Sequence, residues 1–173
     1  MSTDPQATGR KEQRQDGTYV VLTRTFRAPI QDVWAAITEP DRLARWIGRW
    51  TGDPAQGTVR FQMLYEGEGG EPGEYAIDSC RAPVRLELTS HVAFDPSAPE
   101  TWHLRLDLAE ADGGTTLTFA QSMDDPAVAE SVGPGWEYYL DRLVAAETGA
   151  DPAEISFDDY YPALAGHYRA LYA

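Results

Sequence analysis

Three histidines, one cysteine and a few phenols and carboxylates are the side chains here that could do chemistry, and their spacing limits what that chemistry is. His91, His103 and His167 are scattered, with no i,i+4 pair and no carboxylate at ligand spacing, so they build no metal site. A Ser-His-Asp relay needs a histidine inside a cleft, whereas strand alternation puts His91 and His103 on a wet face. Cys80 is the only cysteine, which rules out an intrachain disulfide and a thiolate cluster; it reads as a small buried hydrophobe. Gly67-Glu68-Gly69-Gly70 lies between two strands and does not open a helix, so it reads as a hairpin turn rather than a phosphate cradle. General acid–base work needs a buried titratable group. Its candidates are the phenols of Tyr65 and Tyr75 and the carboxylate of Glu147, the last read as solvated at a cavity mouth. Arg27 and Arg45 flank two short helices and read as surface arginines. The expectation is no catalytic residue, no metal and no cofactor.

These groups must be carried by a scaffold, and the periodicity outlines it. Residues 1–17 mix small, polar and charged types without period and read as a flexible arm. Tyr19 to Phe26 is rich in β-branched and aromatic residues and predicts a first strand, with its facing unclear because both alternating sets are apolar. Ile30, Val33, Trp34 and Ile37 recur at helical spacing; a second short helix carries Leu43, Trp46 and Ile47. Gly48 to Gly57 reads as a loop. Five alternating stretches follow, joined by short connections, which predicts an antiparallel meander. Its dry face holds Val59, Phe61, Met63, Tyr65, Tyr75, Ile77, Leu86, Leu88, Trp102, Leu104, Leu106, Leu117 and Phe119. Trp136, Tyr139, Leu140, Leu143 and Val144 then form one stripe of a long helix starting at the Gly133-Pro134-Gly135 break and ending at Gly149. Glu137 and Asp141 lie off that stripe, and Tyr138 is an aromatic on its back that a last helix, with Leu164, Tyr168, Leu171 and Tyr172, or the loop before it, is expected to cover.

Composition narrows the function classes. A chain of 173 residues, 42% hydrophobic with five Trp and nine Tyr, suits one folded domain. No apolar run approaches the roughly 18 residues of a membrane helix, and the N-terminus has no hydrophobic signal core, so the expected location is the cytoplasm. With 28 acidic against 14 basic residues the formal charge is −14, which repels phosphate backbones and anionic lipid heads. Nucleic acid and membrane are therefore set aside as partners.

The order strand, two short helices, five strands and long helix resembles the helix-grip architecture of the START-related, or SRPBCC, superfamily. The likeness is to the AHSA-type branch, similar to the C-terminal domain of the activator of the ninety-kilodalton heat-shock-protein ATPase. It is carried by Phe26-Arg27-Ala28-Pro29, by Val33-Trp34-Ala35-Ala36-Ile37-Thr38-Glu39-Pro40 with Leu43 and Trp46, and by Gly135-Trp136-Glu137-Tyr138-Tyr139-Leu140-Asp141-Arg142-Leu143. It spans roughly residues 19 to 148. The resemblance implies an α+β fold in which a curved antiparallel sheet, here six-stranded, wraps around a long C-terminal helix, with two short helices after the first strand. The expected organisation is a flexible arm over 1–17, a helix-grip domain over 18–148, and an extension over 149–173 whose short helix packs on the domain. The resemblance also implies a cavity between helix and sheet that takes an apolar small molecule. The residues placed there are Trp46, Phe61, Met63, Tyr65, Tyr75, Trp102, Leu104, Phe119, Trp136, Tyr139, Leu140 and Leu143. Non-enzymatic binding of a hydrophobic molecule is the leading expectation. An aromatase- or cyclase-like enzyme using Tyr65, Tyr75 or Glu147, and a protein-interaction or co-chaperone-like module, are the alternatives. The sequence leaves the oligomeric state unknown.

Overall fold

In a computed structural model, which describes residues 4–65, 73–92 and 100–173 and leaves aside the side chains of 91, 92 and 100, a β-hairpin opens the chain. Strand β1 (Arg10–Arg14) turns into β2 (Gly17–Phe26). Helices α1 (Ile30–Thr38) and α2 (Pro40–Leu43) lead to β3 (Gly48–Thr51). The meander β4 (Thr58–Met63), β5 (Gly73–Arg81), β6 (Arg85–Val92), β7 (Glu100–Ala111) and β8 (Gly114–Ser122) follows. The long helix α3 (Pro126–Thr148) and the short α4 (Ala165–Leu171) close the chain. The strands make one antiparallel sheet in the order β1-β2-β8-β7-β6-β5-β4-β3. The α1–α2 segment therefore carries the chain from one side of the sheet to the other.

The sheet has eight strands, not six, and the two additions have one cause. β1 is Arg-Lys-Glu-Gln-Arg, and β3 is only four residues long. An edge strand needs one hydrogen-bonded neighbour and no apolar face, and charge along it deters further pairing, so neither element shows an alternating apolar pattern. The arm expected to be unstructured thus supplies β1, and the loop expected over 48–57 begins as β3. The second short helix is one turn that ends at Leu43; Trp46 and Ile47 lie in the turn beyond it. The unclear facing of β2 is resolved by burial on both sides. Val20, Leu22 and Phe26 join the main core, while Tyr19 and Val21 form a small cluster with Ala120 under the Arg14 guanidinium, 4.9 Å from the Tyr19 ring.

Helix α3 also starts earlier than expected. Pro126 occupies the first turn and Asp125 caps it, accepting from the Ala127 N–H at 2.8 Å. Pro134 lies inside the helix rather than at its start. The Gly-Pro-Gly segment is instead a docking point for α4: a Cβ on Gly133 would stand 2.2 Å from the Tyr168 ring. Tyr138 is covered as expected, its ring 5.4 Å from Phe157 and 5.7 Å from Tyr160. Cys80 is exposed rather than buried, since it stands one residue from the end of β5, on the side of the sheet that α3 leaves uncovered. The turn expected at Gly67–Gly70 lies outside the described residues.

Candidate ligand-binding cleft

The residues on the concave face form rows across the register, and burial is lower at the β4–β5 end of each row than in its middle or at its β8 end. One row runs Gln121, Leu104, Leu88, Ile77; the next runs Trp102, Ser90, Tyr75, Val59. Toward β8 and β2 the face is filled: Val20, Leu22, Leu104, Leu106, Leu117 and Phe119 are buried against Tyr139, Leu140 and Leu143 of α3. Toward β4, β5 and β6 the same chemistry continues without full cover, with Phe61, Met63, Tyr75, Leu86 and Leu88 only partly buried. The cause lies in the helix. Among the strands α3 runs closest to β2, so its apolar stripe closes one half of the face and overhangs the other. Trp136 stands at the border: its ring is 4.1 Å from Phe119, it is partly exposed, and its Nε1 donates to Gln121 Oε1 at 2.5 Å. Phe61 meets Tyr75 edge-on at 5.6 Å. The open half is thus apolar, aromatic and sparsely polar.

The twelve residues expected to line a cavity fall into three groups. Phe61, Met63, Tyr75, Trp102 and Trp136 are partly buried around the open half. Leu104, Phe119, Tyr139, Leu140 and Leu143 are core, on the filled side. Trp46 and Tyr65 lie elsewhere. Trp46 is buried in the α1–α2 corner with its Nε1 donating to the Ala36 carbonyl at 3.0 Å. Tyr65 is 38% exposed, donates to the Ala44 carbonyl, and its ring lies 4.0 Å from the Arg142 guanidinium. It follows β4 at the end where the chain meets α2, so strand alternation did not carry over to it.

The acid–base candidates are committed elsewhere. Glu147 turns away from the cleft: its Oε2 accepts from Arg42 at 2.5 Å, and Arg45 is 4.0 Å from Oε1. His103 is exposed on the convex face beside Thr89, and His167 bonds the Gly9 carbonyl at 2.9 Å. The side chain of His91 lies outside the described residues. Among the described residues no three His, Cys, Asp or Glu gather in a metal-ligating group.

Sequence reasoning missed a charged centre behind α3. Glu137 was expected on a solvent-facing side, yet it is 0% exposed. Its Oε1 accepts from Arg24 at 2.8 Å and from the Thr8 hydroxyl at 2.7 Å; its Oε2 accepts from Tyr168 at 2.6 Å and from the Thr8 N–H. Arg24 also bonds Asp141 at 3.0 Å, and Tyr160 donates to Asp141 at 2.7 Å. Burial alone pushes the Glu137 carboxyl up, but the bonds from Tyr168, Arg24 and Thr8 outweigh it and hold it below the usual range. Burial and the neighbouring carboxylate push the Tyr168 phenol far up. The only sequence signal was the i,i+4 pair Glu137 and Asp141, which on a helix usually means solvent. A hollow of about 400 Å³ adjoins this centre, lined by Asp4, Pro5, Gln6, Thr8, Arg24 and Tyr160 among others, and another of about 190 Å³ lies by His103 on the convex face. Around Glu137 donors and acceptors are matched, which makes the centre a clamp joining the arm, β2, α3 and α4.

With this geometry in hand, comparison with known proteins is informative about the fold. The sequence signature of the family described as activator of Hsp90 ATPase homolog 1-like protein matches residues 27–147. No curated protein matches the chain. The crystal structure of CalU16 from Micromonospora echinospora is similar at 23% identity, with a TM-score of 0.71 over 98% of this chain and 99% of that one. MLL2253 from Mesorhizobium loti is 23% identical, with a TM-score of 0.64 over 77% of this chain and 98% of that one. DynU16, a putative protein in the dynemicin biosynthetic locus, is 21% identical, with a TM-score of 0.62 over 78% of this chain and 49% of that one. No helix among the described residues is long and apolar enough to cross a membrane.

Proposed function

We propose, from the premise that this chain belongs to the activator of Hsp90 ATPase homolog 1-like family, an AHSA-type branch of the helix-grip superfamily, that its open half-face binds an uncharged, largely apolar small molecule without transforming it. The observation that carries this reading is the run of partly covered apolar side chains on one side of an otherwise filled concave face. A contiguous apolar surface left in contact with water is unfavourable, and a ligand pocket is the usual reason for keeping one. Phe61, Met63, Tyr75, Leu88, Trp102 and Trp136 are the contacts in this reading. The setting of DynU16, a putative protein in the dynemicin biosynthetic locus, agrees with it. Of the candidates for a catalytic role in the same cleft, Tyr65 and Glu147 are bonded elsewhere.

The test uses N-phenyl-1-naphthylamine, a neutral dye that brightens on leaving water. Saturable binding that Leu88→Glu abolishes, with the far-UV circular dichroism of the variant unchanged, supports the reading. Absence of saturable binding, or binding indifferent to Leu88→Glu, overturns it.

A further inference from the structure

Three buried polar atoms lack a hydrogen-bond partner among the described residues: Glu147 Oε1, the Tyr172 hydroxyl and Gln121 Nε2. Glu147 Oε1 still has Arg45 at 4.0 Å, and Tyr172 stands at the end of α4. Gln121 is different, because it lies on the concave face at the border of the open half. It is wholly buried, and its register partners Val20 and Leu104 are apolar, as is Leu88 beyond them. Which end of its amide faces Trp136 is settled by chemistry. An indole nitrogen only donates, so the bond from Trp136 Nε1 fixes the amide oxygen toward the ring and leaves Nε2 as the free end. Buried amide donors are nearly always paired, since stripping one from water without replacement is unfavourable. The side chain that holds this amide, Trp136, is itself partly open to solvent. A molecule that displaces the cover of Trp136 would meet an N–H donor that has no acceptor among the described residues.

We propose that Gln121 sets the specificity of the cleft by donating from Nε2 to a neutral acceptor on the ligand, such as a ketone, quinone or ester carbonyl. This rests on the cleft reading above and adds to it the class of polar group the ligand carries. Charge selects a neutral acceptor over an anionic one. The nearby guanidinium groups are engaged, Arg24 with Glu137 and Asp141, and Arg142 with the Trp46 and Pro152 carbonyls, while the chain carries −14 overall. A ligand offering only a donor leaves Nε2 as unpaired as before.

The test is a matched pair, 1-tetralone and tetralin, titrated into uniformly ¹⁵N-labelled full-length protein and followed by NMR. A cleft without a donor prefers tetralin, since the ketone loses its hydration on entry. The expected result is a preference for 1-tetralone of about tenfold, a downfield shift of the Gln121 side-chain amide protons with the ketone only, and loss of the preference in Gln121→Met. If both molecules bind and tetralin is equal or preferred, with the Gln121 amide signals unmoved, the inference is overturned while the cleft stands. If neither molecule shifts any signal of the concave face, the cleft and the inference fall together. The comparison within the unmodified protein decides the matter even where Gln121→Met fails to fold.

Discussion

The two flanks of α3 meet their surroundings in opposite ways. Behind the helix, Glu137 is wholly enclosed and its two oxygens receive four donors, from Thr8, Arg24 and Tyr168. In front of it, the stripe from Trp136 to Leu143 meets an apolar sheet that it covers only in part, with the Gln121 amide left an acceptor short among the described residues. Polar matching holds the rear flank in one geometry, because each group would be left unpaired by a shift of its neighbour. Apolar contact without full closure gives the front flank no such constraint. The rear is held by matched polar groups and the front by incomplete apolar contact, and one helix carries both.

Breaking the rear is expected to have the largest effect. Glu137→Ala removes the acceptor for Arg24, Tyr168 and Thr8 together and leaves a partly buried guanidinium with Asp141 as its remaining carboxylate partner. Loss of one partner of a buried ion pair costs about 3–5 kcal/mol, to be read from urea unfolding monitored by tryptophan fluorescence. The same carboxylate gives the stability a pH dependence. Its folded-state pKa is lowered, so its contribution is present above the ordinary carboxylate range and is lost as pH falls through the lower folded value. The stability of the unmodified protein should fall below roughly pH 4, and the fall should be shallower by up to one proton in Glu137→Gln. An equal slope in both would place the acid sensitivity elsewhere, with Asp107, also lowered, as the next group to substitute.

A pair of leucines sharpens the contrast within the front. Leu143 is fully enclosed on the filled side, and Leu88 is partly exposed on the open side. Leu143→Ala is expected to cost about 3 kcal/mol, within the range for a buried leucine, and Leu88→Ala about 1 kcal/mol, since less surface and less cavity are at stake. Equal costs in urea unfolding would mean that the face is uniformly closed.

What the sequence made legible follows the same division. Alternation in β4 to β8 and the spacing of Trp136, Leu140 and Leu143 were readable because each element buries one face against a broad partner, and burial leaves a period. The match over residues 27–147 lies within the stretch where the family resemblance was read. β1 and β3 were not readable, since edge strands are held by backbone pairing that leaves no mark on side-chain type. The rear clamp was hidden for a related reason. Thr8, Arg24, Glu137 and Tyr168 come from four distant segments, and none of them alone announces a buried charge. Only the close approach of α4, which Gly133 and Gly9 permit by leaving room for the Tyr168 ring, turns them into one centre. In the cleft, residue types were legible but closure was not, because the reach of α3 over the sheet is set by tertiary packing.

The smallest effect tests how far the fixity of the rear extends. Tyr160 donates to Asp141 at 2.7 Å, at the edge of the clamp where the Asp141 side chain is 34% exposed. Tyr160→Phe keeps the ring, and with it the edge-on contact to Tyr138 at 5.7 Å, and removes only the hydroxyl. Asp141 retains Arg24 and gains access to water, so the expected cost is about 1 kcal/mol or less. Burial and Asp141 push the Tyr160 phenol far up, which means that above about pH 10 the unfolded chain ionises this group while the folded chain does not. The stability difference between the unmodified protein and Tyr160→Phe should therefore shrink as pH rises through the unfolded value. A cost of several kcal/mol at neutral pH would mean that Asp141 is as tightly held as Glu137, and that the enclosed part of the rear flank reaches one helical turn further along α3.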